Sequence, residues 1–314
     1  MLVLWISARV FPESDQFPSH REQPGKGSLT YSINVGLVVL PVTVLDKSGR
    51  FIPGLDEKDF SVYEDGVLQK IQVFDHQDIP VAVGLLIDNS SSMVPNRADV
   101  TAASLELAEA SNPADQIFVV HFYDNIAFAL KLGEAFTSNI EELRAAVSQI
   151  AGLGKTALYD AVVAGLDHLQ QSDLPKRVLV IVSDGGDNAS DHTLKETLDM
   201  IAQSNALIYT IGIYNEHDRE RNPKVLKQIS GISGGETYFP KSGAQLSEAC
   251  KRIATDIRSQ YTLGYIPSNQ KKDGSYRKIR VSVNAPNLGK VTVRTRSGYI
   301  APRTGPNDSP VSSR

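Results

Sequence analysis

A chain of 314 residues, 41% hydrophobic and 22% charged, has ordinary globular composition and a length that suits one large domain or two smaller ones. Its net charge of −4, with no run of five like charges, argues against nucleic acid or an anionic membrane as partner. The single cysteine, Cys250, excludes an internal disulfide framework, and no stretch approaches the roughly 18 apolar residues needed to span a bilayer.

The chain opens on MLVLWISARVF, apolar but short, without a basic leader or a small-residue cleavage site. It is either the remnant of a signal sequence or an ordinary start. Residues 12–30 are polar and rich in Pro, Gly and Ser, so residues 1–30 read as a flexible lead-in. Residues 31–78 turn to β-structure. Val35–Leu45 is strongly β-branched, DKSGR is a turn, and FSVYE over Phe60–Glu64 alternates before Asp65-Gly66. An Asp-Gly pair between alternating runs predicts a hairpin, with Lys70–Phe74 as the returning strand.

From Val81 the character changes. VAVGLLID is a continuous apolar run, as expected of a strand buried on both faces. A helix over about Ala98–Ala110 follows, then the strand QIFVVHFY and the shorter run IAFALKL. Helices are predicted from Asn139, over Ala157–Gln170, and over 192–203, 223–230 and 242–258. The strands RVLVIVSD, ALIYTIGI and ETYF alternate with them. Such alternation predicts a doubly wound, mostly parallel six-stranded sheet. Only Asp124-Asn125 separates QIFVVHFY from IAFALKL, too short for a parallel crossover, so IAFALKL is expected as one antiparallel edge strand.

From Tyr261 the pattern returns to β in YTLGYIP, RKIRVSV and KVTVRTRSGYI. The two flanks make either two small β-units or one. Three or four short strands alone bury little, so the favoured arrangement is one small all-β, sandwich-like domain built from 31–78 and 259–301, with the α/β domain of 79–258 inserted in it. Residues 302–314 read as a disordered tail.

Three loops carry chemistry. The first apolar strand ends in Asp88-Asn89-Ser90-Ser91-Ser92, which puts three oxygen ligands in one turn. The strand RVLVIVSD runs into Ser183-Asp184-Gly185-Gly186-Asp187. The segment Gly152-Leu153-Gly154-Lys155-Thr156 leads into a helix. In an open α/β sheet the loops at the carboxyl ends of the strands line one crevice. Asp88, Ser90, Ser92, Thr156 and Asp184 can meet there as two carboxylates and three hydroxyls. Hard oxygen donors without His or Cys favour Mg²⁺, Mn²⁺ or Ca²⁺ over Zn²⁺. Each piece alone has a plainer reading, as a helix cap or a turn. The three together, each at the right end of its element, favour a metal site.

VGLLIDNSSSM, GKTALYDAV and VLVIVSDGGDN together resemble the von Willebrand factor A domain with its metal-ion-dependent adhesion site, and ISGISGGETYF is similar to the segment before that family's last strand. The likeness spans roughly residues 79–258. The β flanks resemble the bacterial von Willebrand factor A-related proteins of Acidobacteria. The resemblance implies that Asp88, Ser90, Ser92, Thr156 and Asp184 are the metal ligands. It implies a non-enzymatic module that engages an Asp or Glu of a partner protein through the metal, located outside the cytoplasm.

Other signals are set aside. Gly231-Ile232-Ser233-Gly234-Gly235 matches the hydrolase nucleophile elbow, but a helix precedes it and a strand follows, the reverse of what that motif needs. A helix C-cap is expected instead. Gly154-Lys155-Thr156 ends like a phosphate-binding loop, but Gln149 stands where the required glycine should be, so no nucleotide is expected. The six histidines lack zinc spacing, and His121 is expected as a satisfied core residue. Asp124 and Asp187 read as solvated turns or as supports of the site. The competing functions are a metal-assisted hydrolase or phosphatase using Asp88, and an accessory subunit of an ATPase-driven assembly. The first lacks an evident base, since Lys155 is expected to point to solvent.

Overall fold

The computed structural model describes residues 36–76, 78–149, 154–214, 221–284 and 289–303. The expected lead-in, residues 152 and 153 of the Thr156 loop, and the expected tail from residue 304 on lie outside the described residues. Its elements are β1 (Val38–Leu45), β2 (Phe60–Glu64), β3 (Val67–Gln69), β4 (Ile71–Asp75), β5 (Val81–Asp88), α1 (Arg97–Glu109), β6 (Gln116–Phe122) and β7 (Ile126–Phe128). There follow α2 (Ile140–Val147), α3 (Leu158–Leu169), β8 (Lys176–Ser183), α4 (Leu194–Gln203), β9 (Leu207–Gly212), α5 (Pro223–Ser233) and β10 (Thr237–Tyr238). The last are α6 (Gly243–Arg258), β11 (Tyr261–Tyr265), β12 (Tyr276–Val283), β13 (Thr292–Arg294) and β14 (Gly298–Ile300). No helix among the described residues is long and apolar enough to cross a membrane.

The α/β layer is a six-stranded sheet in the order β10-β9-β8-β5-β6-β7. All neighbours run parallel except β7, which returns antiparallel against β6. Every residue of β5 is buried, because β6 and β8 flank it and helices cover both faces. Val83, Leu85 and Ile87 pack with α1, α2 and α6. Ala82 and Leu86 pack with α3 and α5 on the other side. Burying each such aliphatic side chain is worth about 1.5–3 kcal/mol. The Gly-x-Ser-x-Gly segment ends α5, with Gly234 as its left-handed C-cap.

Two four-stranded antiparallel sheets form from both flanks, β13-β1-β11-β4 and β14-β12-β2-β3. β1 pairs with β11 and β13, and β2 with β12, so hydrogen-bonded pairs join the beginning of the described chain to its end. Their inner faces make one core, in which Leu40, Val42, Val62, Leu263 and Ile279 surround Tyr261. The Tyr261 ring lies 5.1 Å from Phe60, and its hydroxyl donates to the Ile52 carbonyl at 2.8 Å. The buried Glu64 carboxylate accepts from the hydroxyls of Tyr265 (2.7 Å) and Tyr299 (2.9 Å).

Two strand expectations differ from the structure. The strand that returns to β2 after Asp65-Gly66 is Val67–Gln69, not Lys70–Phe74. The chain crosses at Lys70 to the opposite sheet, where β4 pairs with β11. KVTVRTRSGYI likewise divides into β13 and β14, one in each sheet.

The α/β layer and the sandwich are tied at the end of α6. Only Ser259 and Gln260 separate α6 from β11. Arg294 of β13 pairs with Asp256 of α6 and with Glu236, and Arg258 pairs with Asp115 and Asp78. Arg296 donates to the Ala202 carbonyl at 2.7 Å and to Asn205 Oδ1 at 3.1 Å.

Candidate metal centre

Asp88 closes β5 and Ser183 closes β8, so the parallel register brings the loops after both strands to one edge of the sheet. Asp88 is buried. Its Oδ1 accepts from the Ser90 amide at 2.9 Å and its Oδ2 from the Ser183 hydroxyl at 2.6 Å. The Ser90 and Ser92 hydroxyls lie 3.1 Å apart. Ser92 donates to Asp184 Oδ2 at 2.5 Å, while Asp184 Oδ1 accepts from the Gly186 amide at 2.8 Å. Four of the five residues singled out in the sequence are therefore linked in one chain of hydrogen bonds.

Thr156, also buried, is held through its backbone by the loop that follows Asp184. Its amide donates to Asn188 Oδ1 at 2.8 Å, and its carbonyl accepts from the amides of Asn188 (2.9 Å) and Ala189 (3.1 Å). Two residues earlier the Gly154 carbonyl accepts from the Ser91 amide at 3.2 Å. Thr156 is not the cap of α3. That position is Ala157, and Asp187 receives the Tyr159 amide of the first turn at 3.1 Å.

Two glycines permit these approaches. A Cβ on Gly154 would stand 2.5 Å from the Asp124 carboxylate, which accepts the Lys155 amide at 2.5 Å. Gly185 has φ +82 and packs its Cα against the Asn222 carbonyl, where a Cβ would come within 2.5 Å. Asn222 in turn donates its amide to the Asp184 carbonyl at 3.0 Å.

Behind the cluster, His121 is buried and satisfied. Its Nε2 meets the Ala146 carbonyl at 2.8 Å, so the proton sits there, and Nδ1 accepts from Asn89 Nδ2 at 2.7 Å. Burial holds the imidazole below its usual pKa, which keeps it neutral. The Asn89 carbonyl also accepts from Arg97 at 3.3 Å. Asn89 is thereby fixed at its side chain and at its carbonyl, beside Asp88.

The electrostatics bear on a cation. Burial pushes the Asp88 carboxyl up to about 7, and the neighbouring charge of Asp184 adds to the rise, against the hydrogen bonds from Ser183 and Ser90. Two buried carboxylates joined through hydroxyls are costly unless a positive charge compensates them. The donor set suits a hard, oxygen-seeking dication. No group of three or more His, Cys, Asp or Glu placed to hold a metal occurs among the described residues.

Sequence reasoning passed over Ser183, Asn188 and Asn89 as supports of this cluster. All three lie inside the quoted motifs, next to or within four residues of a candidate ligand, but a hydroxyl or amide carries no sign of its partner across the sheet. Asp124 and Asp187 hold the Lys155 and Tyr159 amides rather than standing free in solvent.

The family model of the von Willebrand factor type A domain matches residues 83–252. No curated protein sequence matches the chain. Among solved structures, the von Willebrand factor type A protein from Catenulispora acidiphila is similar in fold at 12% identity, with a TM-score of 0.51 over 88% of this chain and 76% of that one. That span reaches beyond the stretch matched by the family model. Proximal thread matrix protein 1 of the mussel byssus is similar at 16% identity, with a TM-score of 0.50 over 62% of this chain and 51% of that one.

Proposed function

Because the chain belongs to the von Willebrand factor type A domain family, whose domains generally mediate protein–protein interaction, we propose that it binds a partner protein through a divalent cation held by Asp88, Ser90, Ser92, Thr156 and Asp184. The observation that carries this reading is the pair of buried carboxylates, Asp88 and Asp184, linked through the Ser90 amide and the hydroxyls of Ser90 and Ser92. Mg²⁺, or Mn²⁺ or Ca²⁺ in its place, would supply a Lewis-acidic position for an exposed Asp or Glu of the partner.

The chain's own residues do the rest. Asp88 and Asp184 bring the negative charge, and the hydroxyls of Ser90, Ser92 and Thr156 add donors without adding charge, so the loaded site stays near neutral and accepts a further carboxylate. Ser183 and the Ser90 amide orient Asp88, and Asn188 sets the peptide of Thr156. An extracytoplasmic location, expected from the family resemblance, accompanies this reading.

The hydrolase reading gains no residue here. Asp88 is held by the Ser183 hydroxyl and the Ser90 amide, which orient a metal ligand rather than activate a nucleophile. The test is capture of a partner from the source cells with Mg²⁺, with chelator, and with the Thr156→Ala chain. Capture that needs Mg²⁺ and fails with Thr156→Ala is expected. Capture indifferent to both would move the interaction surface elsewhere.

A further inference from the structure

The outward face of the β14-β12-β2-β3 sheet carries side chains that the fold does not use. Exposure over the first six residues of β12 alternates, with Arg277, Ile279 and Val281 inward and Tyr276, Lys278 and Arg280 in solvent. On β2, Phe60, Val62 and Glu64 point inward, which leaves Ser61 and Tyr63 on the outer side. Registration aligns Arg280, Tyr63 and Leu68 in one row across three strands. The Arg280 guanidinium lies over the Tyr63 ring, 4.3 Å from its centroid. Tyr276 is laid across Gly298 and is 48% exposed, and Leu68 is 61% exposed. Neither Lys278 nor Arg280 has an ion-pair partner among the described residues. The nearby Asp65 takes the backbone amide of Lys278 and faces Arg277.

We propose that this face is a second docking surface, independent of the cation site, and that its occupant is an extended acidic segment of a protein with carboxylates on alternate residues. Lys278 and Arg280 are two residues apart on one strand, which sets their stems about 6.8 Å apart. An extended peptide repeats its own side chains on one side at the same interval. One carboxylate then meets Lys278 while the next meets Arg280. The stack on Tyr63 holds the guanidinium flat and leaves its N–H edge for a bidentate carboxylate. Tyr276 gives the segment an apolar contact beyond Lys278 along β12, and Leu68 ends the cross-strand row that starts at Arg280.

Addition of a strand at the sheet edge is not the mode. The Gln69 side chain occupies the Val67 carbonyl at 3.0 Å and is itself held by Ser268, which blunts the edge of β3. A polysaccharide is the less favoured occupant. Sugar rings stack on open aromatic faces, and the Arg280 guanidinium already covers the Tyr63 ring at the centre of this face.

The test uses the whole chain in chelator, so that the cation site contributes nothing and its own reading is untouched by the result. Three fluorescent probes are titrated: a peptide of alternating Thr and Glu, a peptide of the same composition with its Glu residues contiguous, and a heparin oligosaccharide of similar charge. The alternating peptide is expected to bind about tenfold more tightly than the contiguous one, roughly the value of one charge-assisted contact. The Lys278→Glu/Arg280→Glu variant is expected to lose at least about tenfold with unchanged thermal unfolding, and to bind an alternating Thr and Lys peptide instead. Equal affinity for the two acidic peptides, binding untouched by the double variant, or no binding to either peptide would overturn the proposal. A preference for heparin would overturn it in favour of a polysaccharide surface.

Discussion

At the scale of single residues, the supports of the metal centre matter as much as its oxygen donors. Ser183 holds Asp88 Oδ2 at 2.6 Å and also receives the Gly185 amide at 3.0 Å, so it joins the two carboxylate loops. Removal of a group that orients a metal ligand typically weakens metal affinity about 10–100-fold. Ser183→Ala is expected to do so with little loss of fold, and unchanged Mg²⁺ affinity in calorimetry would contradict this role. His121→Leu strips the acceptor from buried Asn89 Nδ2 and the donor from the Ala146 carbonyl. An unsatisfied buried group costs about 1–3 kcal/mol, which urea unfolding would register. The candidate ligands were legible in the sequence because each closes a strand or opens a helix within a short polar motif. Their supports were not, because the hydrogen bonds from Ser183 to Asp88 and from Thr156 to Asn188 span 95 and 32 residues.

At the scale of elements, the junction of α6 with β13 joins the two layers. Arg294 is mostly buried between Glu236 and Asp256, and removal of one partner from a buried pair costs about 3–5 kcal/mol. Arg294→Met is expected to lose about that much, less whatever the exposed side of Glu236 recovers from solvent; a loss near zero would mean that the junction is held by apolar packing alone. Lys176 gives a pH signature nearby. Burial lowers its ammonium to about 8, against the attraction of Asp78 and Asp115. Between pH 8 and roughly 10.4 the unfolded chain keeps this proton while the folded chain has released it. The folded state therefore gains stability as pH rises through that window, by at most about 1.4 kcal/mol per unit. The stability difference between wild type and Lys176→Met should change in wild type's favour from pH 8 to 10, and parallel curves would rule this out. The elements of the α/β layer were readable from apolar runs bounded by turns, β5 above all. The sandwich strands were read less well, since short alternating runs such as Lys70–Phe74 and KVTVRTRSGYI do not reveal where the chain leaves one sheet for the other.

At the scale of the molecule, the sandwich and the α/β layer share a covalent and an ionic junction, so they are expected to unfold together. Circular dichroism of the helices and hydrogen exchange of the sandwich-strand amides should report one common unfolding free energy, and two separate values would show them to be independent. A cation that binds only the folded chain would raise that transition in proportion to the logarithm of its concentration above the dissociation constant. The central claim is that Asp88, Ser90, Ser92, Thr156 and Asp184 hold a divalent cation at which a partner carboxylate binds. Its most direct test is a calorimetric titration of Mg²⁺ into the wild-type chain and into Asp88→Ala. The expected result is one saturable site in wild type and none in the variant, with both chains folded. Mg²⁺ binding of equal strength in Asp88→Ala would contradict the assignment.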